Sequence, residues 1–366
     1  MALSKVNPNL ITNGGSRKNL IINGAMNVAQ YATSKTGLGA NGGTYSTVDR
    51  FRFDFGSTAG RLTATQTSIT DLAGFANCTK LDCTTADTSI AAGEYFQFVQ
   101  RIEGQDLQQL AYGTSSAKTT TISFYVKGTA KTYMCEIHDA ENTRLVQQQF
   151  NVTTSWTRVS LTFAGNTSGT IADSSALGLY LNFWLHAGST YTSGTYNANT
   201  WKAQSNADRA VGIGSFFSST SNELFITGIQ MEVGSVATDF EHRTYAESLL
   251  ACQRYYEIIA KPTAADDSPY FGIGHGYKSD QINWFYDFKA EKRAPITLIV
   301  NTVTNGYYGK NHSTEKNKET LGITMGHQSL HSIMGYMTGI TGVTEQTAYS
   351  MQCNGAGCLI AASAEL

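Results

Sequence analysis

The sequence predicts an all-β protein with an N-terminal jelly-roll β-sandwich, a short linking α-helix and a smaller C-terminal β-sandwich. Short segments with period-two apolar alternation recur along the chain, roughly nine of them in the first two thirds. The 35 glycines and the many Thr and Ser residues supply turns and strand positions between them. Only one segment has a helical period, and 366 residues are enough for two domains. This pattern is typical of two-sheet antiparallel sandwiches.

The clearest strand of the first domain lies in residues 45–55. Phe51, Phe53 and Phe55 alternate there with charged residues, which predicts a half-buried strand. Further predicted strands of this domain are residues 60–66, 94–103, 120–127, 132–138, 145–152, 157–163, 177–186 and 224–232. Residues 101–110 are predicted to hold one short helical turn. These segments define a jelly-roll domain over residues 19–242.

Two further segments of this part of the chain have a possible function. The hexapeptides NLITNG (9–14) and NLIING (19–24) echo each other, and residues 1–18 are interpreted as an anchoring segment or as a coincidence in an Asn-rich tail. Residues 187–214 form a long loop rich in Gly, Ser and Asn, with Tyr191, Tyr196 and Trp201 inside it. These aromatic residues are candidates for glycan or receptor binding; the alternative is a lid that folds back on the sandwich.

Residues 243–269 are predicted to be a linking helix and hinge. Thr244 and Glu247 form a capping box, and Pro262 prevents the helix from continuing. The apolar spacing of 4, 3, 4 and 3 predicts one helical stripe, assigned to inter-domain or assembly contacts. Its members are Tyr245, Leu249, Cys252, Tyr256 and Ile259.

The distal domain is predicted over residues 270–366. Its strand segments are residues 281–288, 296–303, 321–341, 348–353 and 358–362. Trp284 and Tyr286 alternate in the first of these, which favours a core or trimer interface over a ligand platform. Tyr307 and Tyr308 stand in a Gly-bounded segment, interpreted as an exposed turn, and are further candidates for glycan or receptor binding.

Charge and motif content exclude several classes of function. A formal net charge of -2 gives no field for nucleic acid, and no apolar run reaches the roughly 20 residues of a membrane helix. The first residues lack a secretion pattern, so folding in a cytoplasm and buried free cysteines are expected. No nucleophile elbow or phosphate loop is present, and no enzymatic activity is predicted. The carboxylates available by residue type alone are Asp54, Glu136, Asp139 and Glu141.

Neither a metal nor a cofactor is predicted, because no ligand motif is present. A structural Ca²⁺ could be held by some of the acidic residues of the first domain, although no EF-type loop exists. The residues considered for it are Asp71, Asp82, Asp87 and Asp173.

Several segments resemble virion proteins of bacteriophages, of the tail-fibre type with a carbohydrate-binding-module-like jelly roll. They are NLIINGAMNVAQYATS with VDRFRF near the start, TTISFYVKGT, SWTRVSLTF, NADRAVG, and FITGIQMEVGSVATDFEHRTYAESLLACQRYYE at the boundary. The resemblance covers roughly residues 19–303. Asp239 replaces a usual proline, and Lys292-Arg293-Ala294-Pro295 matches the family pattern only in part.

The resemblance implies a homotrimeric fibre protein located in the virion and assembled in the host cytoplasm. Its implied partners are other copies of itself, other virion proteins through the N-terminal segment, and a host cell-surface glycan or protein. It supplies no catalytic residue. A purely structural virion component without a receptor role and a polysaccharide-degrading enzyme are the alternatives.

Overall fold

The computed structural model describes residues 18–264, 267–301, 303, 306–311, 315–318, 323–353 and 357–366. With 46% strand and 8% helix, it confirms the predicted all-β class. The chain divides into two compact units, residues 1–244 and 245–366. The predicted anchoring segment at residues 1–18 lies outside the described residues except for Lys18. None of the helices among these residues is both long and apolar enough to span a membrane.

The first unit is a sandwich of two antiparallel sheets. Its strands are β1 (Ser34–Leu38), β2 (Gly42–Tyr45), β3 (Phe51–Gly56), β4 (Arg61–Ser68), β5 (Asn77–Thr85), β6 (Tyr95–Glu103), β7 (Thr120–Gly128), β8 (Lys131–Asp139), β9 (Arg144–Val152), β10 (Thr157–Phe163), β11 (Leu177–Ala187), β12 (Lys202–Ala203) and β13 (Glu223–Val233). The six-stranded sheet has the order β1-β4-β5-β13-β7-β10, and the seven-stranded sheet has the order β12-β9-β8-β11-β6-β3-β2.

Most predicted strands of this unit begin and end within two residues of the observed strands. The predicted strand at residues 45–55 is instead two strands, because Arg50 has a φ of +72° and turns the chain before Phe51. β1 and β5 have no counterpart among the predictions. In β5 the sequence NCTKLDCTT is mostly polar and has few apolar residues to mark an alternation. The helical turn expected in residues 101–110 is the 3₁₀ helix Gly104–Leu110.

The core lies between the two sheets and is rich in phenylalanine. Phe51, Phe53 and Phe55 of β3 point inwards, and Phe51 stacks on Phe98 of β6 with ring centroids 4.9 Å apart. Because side chains alternate along a strand, the residues between these phenylalanines point out of the sandwich. The inner phenylalanines therefore determine which residues the outer face of the seven-stranded sheet presents.

The NLIING segment belongs to this sandwich. Asn19 is buried, and its side-chain amide donates to the carbonyl of Ile229 while its oxygen accepts from the amide of Met231. The backbone amide of Leu20 also donates to the carbonyl of Met231, at 2.9 Å. Residues 19–24 are thus hydrogen-bonded to β13 and belong to the folded first unit.

The second unit contains two antiparallel sheets and the helix α2 (Tyr245–Gln253). The four-residue helix α1 (Ser189–Thr192) belongs to the first unit. The strands of the second unit are β14 (Tyr256–Ala260), β15 (Tyr270–Lys278), β16 (Gln281–Asp287), β17 (Thr297–Val300), β18 (Tyr307–Lys310), β19 (Glu315–Lys318), β20 (Ile323–Gln328), β21 (Ser332–Thr338), β22 (Ala348–Cys353) and β23 (Ile360–Ser363). The sheets are β14-β23-β17 and β19-β18-β22-β15-β16-β21-β20. Trp284 is fully buried in its core, as the core interpretation predicts.

The linking helix is shorter than the sequence predicts. It begins at Tyr245, after the predicted cap, but ends at Gln253, and Tyr256 and Ile259 lie in β14, which pairs with β23. The prediction that all five apolar residues lie on one helix is therefore wrong. Within the helix Cys252 is buried and Leu249 is half-buried, whereas Tyr245 is 59% exposed. Residues 245–260 belong to the second unit rather than to a separate linker.

Candidate functional site

The outer face of the seven-stranded sheet in the first unit carries an unusual density of charged and aromatic residues. Cross-strand pairing places Arg101 of β6 opposite Tyr180 of β11, and Tyr180 opposite His138 of β8. Asp54 of β3 pairs with Gln97 of β6, which lies two rows from Arg101 on the same face. Directly opposite residues on one face contact each other, so these side chains form a continuous surface across four strands.

Two arginines hold the carboxylate of Asp54. Arg52 Nη1 lies 3.1 Å from Asp54 Oδ1, and Arg101 Nη2 lies 3.7 Å from Asp54 Oδ2. Their side chains remain partly accessible, at 19% for Arg52, 18% for Arg101 and 15% for Asp54. Burial raises the pKa of Asp54, and the charge of Arg52 opposes that rise. The site therefore presents fixed donors and acceptors at a half-desolvated surface.

Tyr180 stands between two neighbours in this surface. The His138 ring stacks against it, with centroids 5.2 Å apart and planes 12° apart, and the Arg101 guanidinium lies 5.3 Å from its centroid. Because His138 and Arg101 are on the strands at either side of β11, they cover opposite faces of the tyrosine ring. Burial raises the pKa of Tyr180 and lowers the pKa of His138, so both side chains are neutral near pH 7.

A pair of tyrosines extends the surface at the edge of the sheet. Tyr45 of β2 is paired with Arg52, whose guanidinium carbon lies 6.0 Å from the Tyr45 ring centroid. The Tyr31 ring is nearly parallel to that of Tyr45, with an interplanar angle of 17°. Both tyrosines are half-buried. Aromatic rings therefore flank the ion-paired centre at two positions.

The long loop covers another part of the same face. Its Arg209 donates to both oxygens of Glu136, at 3.0 and 2.6 Å, and lies 4.8 Å from the ring centroid of Trp184. Asn182 donates a further hydrogen bond to Glu136. Burial disfavours the ionised form of Glu136, but the charge and hydrogen bonds of Arg209 together with the hydrogen bond of Asn182 outweigh it and hold the pKa below its usual value. The loop is thus fastened to the sheet by a buried ion pair.

The aromatic candidates in this loop pack onto the sheet. Tyr191 contacts the Trp184 ring at 5.2 Å, Tyr196 accepts a hydrogen bond from the backbone of Gln149, and the Trp201 indole donates to the carbonyl of Ala164. All three are half-buried. This arrangement is that of the lid alternative, although each ring keeps an accessible edge.

The two candidates in the second unit are not in an exposed turn, and that expectation is wrong. Tyr307 and Tyr308 lie in β18, which pairs with β22, and they are 0% and 7% exposed. The Tyr307 hydroxyl is 2.8 Å from the carbonyl oxygen of Asn301, and that of Tyr308 donates to Gln352. Both serve the core of the second unit.

The surface residues Arg52, Asp54, Arg101, His138 and Tyr180 were not identified as binding residues from the sequence. The available signal was the alternation in predicted strands, since every second residue opposite the inner phenylalanines must face outwards. Which outward residues meet depends on the register of strands far apart in sequence, and the sequence does not give that register.

Comparisons with known proteins give only distant structural likenesses. No family model matches the chain, and no curated protein matches it. The enzymatically active domain of bacteriophage CBA120 tailspike protein 4 aligns with 59% of this chain and 21% of its own length, at 12% identity and a TM-score of 0.30. The chain thus spans only a fifth of that domain.

Two carbohydrate-binding modules have similar scores. A CBM4 structure aligns with 58% of this chain and 98% of its own length, at 13% identity and a TM-score of 0.30. A family 61 module in complex with β-1,4-galactotriose aligns with 60% of this chain and its full length, at 8% identity and a TM-score of 0.30. Scores this low transfer no function to the present chain.

Proposed function

We propose that this chain is a phage virion fibre protein whose first unit binds a host-surface carbohydrate on the outer face of its seven-stranded sheet. The observation that carries the binding proposal is the Asp54 carboxylate held between Arg52 and Arg101, with Tyr45 and Tyr180 beside it.

The chemistry of this surface suits a polyhydroxylated ligand. A sugar hydroxyl both donates and accepts, so neighbouring hydroxyls can bridge a carboxylate and a guanidinium that are already oriented. The apolar side of a pyranose packs on aromatic rings, which Tyr31 and Tyr45 offer at the edge of the sheet. Because the ion pairs hold these groups in place before binding, little side-chain entropy is lost when the ligand arrives.

The binding proposal is tested with a panel of purified bacterial surface polysaccharides and plant β-glucans. We expect at least one of them to retard the full chain in affinity electrophoresis, and Asp54→Ala to weaken that binding at least about tenfold. Asp71→Ala is the matched control, because Asp71 is also ion-paired, to Lys127, but on another part of the first unit. Equal binding by the Asp54 variant and the wild type would contradict the proposal.

The virion assignment rests on the resemblance of residues 19–303 to phage fibre proteins. Labelled protein is expected to bind susceptible cells and to block phage adsorption. Binding to no host cell would favour the purely structural alternative. Release of reducing ends from a bound polysaccharide would favour the enzyme, although Glu136 and Asp139 are engaged by Arg209 and by Asn142 and Asn166.

The homotrimer follows from the same resemblance and has its own test. Mass photometry at micromolar concentration is expected to give three copies of the chain. Ile273→Asp and Tyr245→Asp would locate the interface, because these side chains are 73% and 59% exposed in the single chain. A monomeric wild type would contradict the trimer without affecting the carbohydrate proposal.

A further inference from the structure

Three potential metal ligands from separate segments of the first unit converge at one buried point. Asp87 follows β5, Glu94 immediately precedes β6, and His186 lies near the end of β11. One ligand atom of each lies within 4.8 Å of the others. All three residues are buried, with exposures of 5%, 7% and 0%. No other such triad occurs in the parts of the chain that the structure describes.

Two atoms that face each other in this cluster have no hydrogen-bond partner. Glu94 Oε2 and His186 Nε2 are buried, take part in no hydrogen bond and lie 3.5 Å apart, a distance at which only a protonated imidazole would pair with the carboxylate. A buried polar atom without a partner costs about 1–3 kcal/mol, so a pair of them pointing at one spot requires a physical reason. A shared cation would satisfy both atoms at once.

Ser215 orients the imidazole of His186 for this role. Its Oγ lies 2.8 Å from His186 Nδ1 and accepts from the amide of Phe217, whose ring packs edge-on against the imidazole at 5.3 Å. When Nδ1–H donates to Ser215, the lone pair of Nε2 faces Glu94. A metal-binding histidine commonly donates its second ring N–H in this way.

Asp87 is held equally firmly. Its Oδ2 accepts hydrogen bonds from the Thr58 hydroxyl and the Ala59 amide, both at 2.9 Å. Its Oδ1 lies 3.3 Å from the amide of Ser89, and the Glu94 side chain is a further hydrogen-bonding neighbour of the carboxylate. Each carboxylate oxygen has two acceptor positions, so Asp87 retains the capacity for a further ligand bond.

We propose that Asp87, Glu94 and His186 supply three ligands to a divalent transition-metal cation of the Zn²⁺ type. One imidazole and two carboxylates are ligands that Zn²⁺ accepts, and their two negative charges match its charge. Tetrahedral ligands at about 2.0–2.1 Å stand about 3.4 Å apart, close to the 3.5 Å separating Glu94 Oε2 and His186 Nε2. Ca²⁺ takes six to eight oxygen ligands, which this buried triad cannot supply.

The site would fasten one end of the sandwich. The segment between β5 and β6, the end of β11 and the 3₁₀ turn Phe216–Ser218 all meet there, and the amide of Asp87 donates to the carbonyl of Phe217. A bound cation cross-links segments about 100 residues apart in sequence. The inference uses none of the residues of the proposed carbohydrate surface, so either proposal can fail without the other.

The test uses the untagged full chain, dialysed against metal-free buffer and then titrated with Zn²⁺. Elemental analysis after removal of free metal is expected to give one Zn²⁺ per chain. At a hundredfold excess over the dissociation constant, Tm is expected to rise by about 5 °C or more. Ca²⁺ in place of Zn²⁺ is expected to leave Tm unchanged.

Glu94→Gln and His186→Gln are expected to abolish both the bound Zn²⁺ and the Tm shift. His331→Gln, which removes an exposed histidine of the second unit, is the matched control and should retain both. Glu94→Gln preserves side-chain shape, so it keeps the test valid if His186→Gln does not fold. No bound Zn²⁺ in the wild type, retention of Zn²⁺ by Glu94→Gln, or a Tm response to Ca²⁺ alone would overturn the proposal.

Discussion

The two units each present the outer face of a seven-stranded sheet, and the two faces differ in kind. In the first unit the face is charged, with Asp54 between two arginines and Glu136 under Arg209. In the second unit Ile273 of β15 pairs with Phe285 of β16, and they are 73% and 48% exposed. They border a shallow depression of about 640 Å³.

This difference separates two ways of using a sheet. Paired charges held in place on a sheet recognise polar ligands at low entropic cost, whereas bare apolar side chains gain free energy only when another surface covers them. The first face is therefore suited to a soluble, hydroxyl-rich ligand. The second is suited to contact with protein, in keeping with the proposed assembly of several chains.

The largest effect is expected from breaking the buried ion pair of the first face. Arg209→Met leaves the Glu136 carboxylate, which is 0% exposed, without its counter-charge. We expect the free energy of unfolding of the first unit to fall by about 3–5 kcal/mol in urea titrations. Asp71→Asn removes an exposed ion pair and should change it far less. Equal losses would show that burial does not distinguish the two pairs.

The same pair predicts a reversal of pH dependence. The pKa of Glu136 is lowered in the folded chain, so its contribution to stability is present above the usual value of 4.5 and is lost as the pH falls. In Arg209→Met, burial, the largest influence on that pKa, is opposed by the hydrogen bond from Asn182 and should raise the pKa, so stability should instead fall as the pH rises above 4.5. In unfolding measured between about pH 4 and 7, the contribution of Glu136 should be complete and flat above about pH 5 in the wild type, whereas in the variant it should become increasingly unfavourable with rising pH.

A smaller effect is expected on the inner face of the second sheet. Gly335 of β21 is paired with Trp284, and an added Cβ would lie 2.2 Å from the indole ring. Gly335→Ala should therefore destabilise the second unit by about 1–3 kcal/mol through overpacking. At Gly93 an added Cβ meets no atom within 4 Å, and Gly93→Ala is the control. An unchanged Tm in Gly335→Ala would mean that the sheet packs differently around Trp284.

The smallest effect is expected at Phe285, which follows Trp284 in β16 and lies on the outer face of the same sheet. Phe285→Ser should change the unfolding free energy of the isolated chain by no more than about 0.5 kcal/mol, because the ring is already half exposed. The same change at buried Phe271 should cost about 3–5 kcal/mol. A large loss in Phe285→Ser measured at high protein concentration, but not at low, would instead reveal a contact between chains.

The local alternation of apolar residues predicted most strands but not which strands pair with each other. Residues 157–163 alternate so regularly that the predicted strand and β10 coincide. The segment after Gln253 keeps a helical spacing at Tyr256 and Ile259, yet it is a strand because β23, about 100 residues later, supplies its hydrogen bonds. Pairing with a distant strand overrides a local periodicity that only two residues support.

The binding surface shows the same limit. Composition allowed the loop aromatics either to be exposed for binding or to fold back as a lid, and Tyr191 packs on Trp184 because Arg209, paired with the buried Glu136, holds the loop nearby. Asp54 and Arg101 are 47 positions apart, and only the pairing of β3 with β6 brings them together. One sequence contains no pattern that links site residues from different strands, because the strand register brings them together.

The placement of the cysteines gives the chain a built-in reporter of how it opens. All six are buried, as the sequence predicts, with Cys78, Cys83 and Cys135 in the first unit. Cys252, Cys353 and Cys358 lie in the second. A thiol reagent can reach them only during opening, and each modified cysteine adds a fixed mass. Mass spectra during labelling should therefore pass through a species carrying three labels if the units open one at a time, and directly to six if they open together.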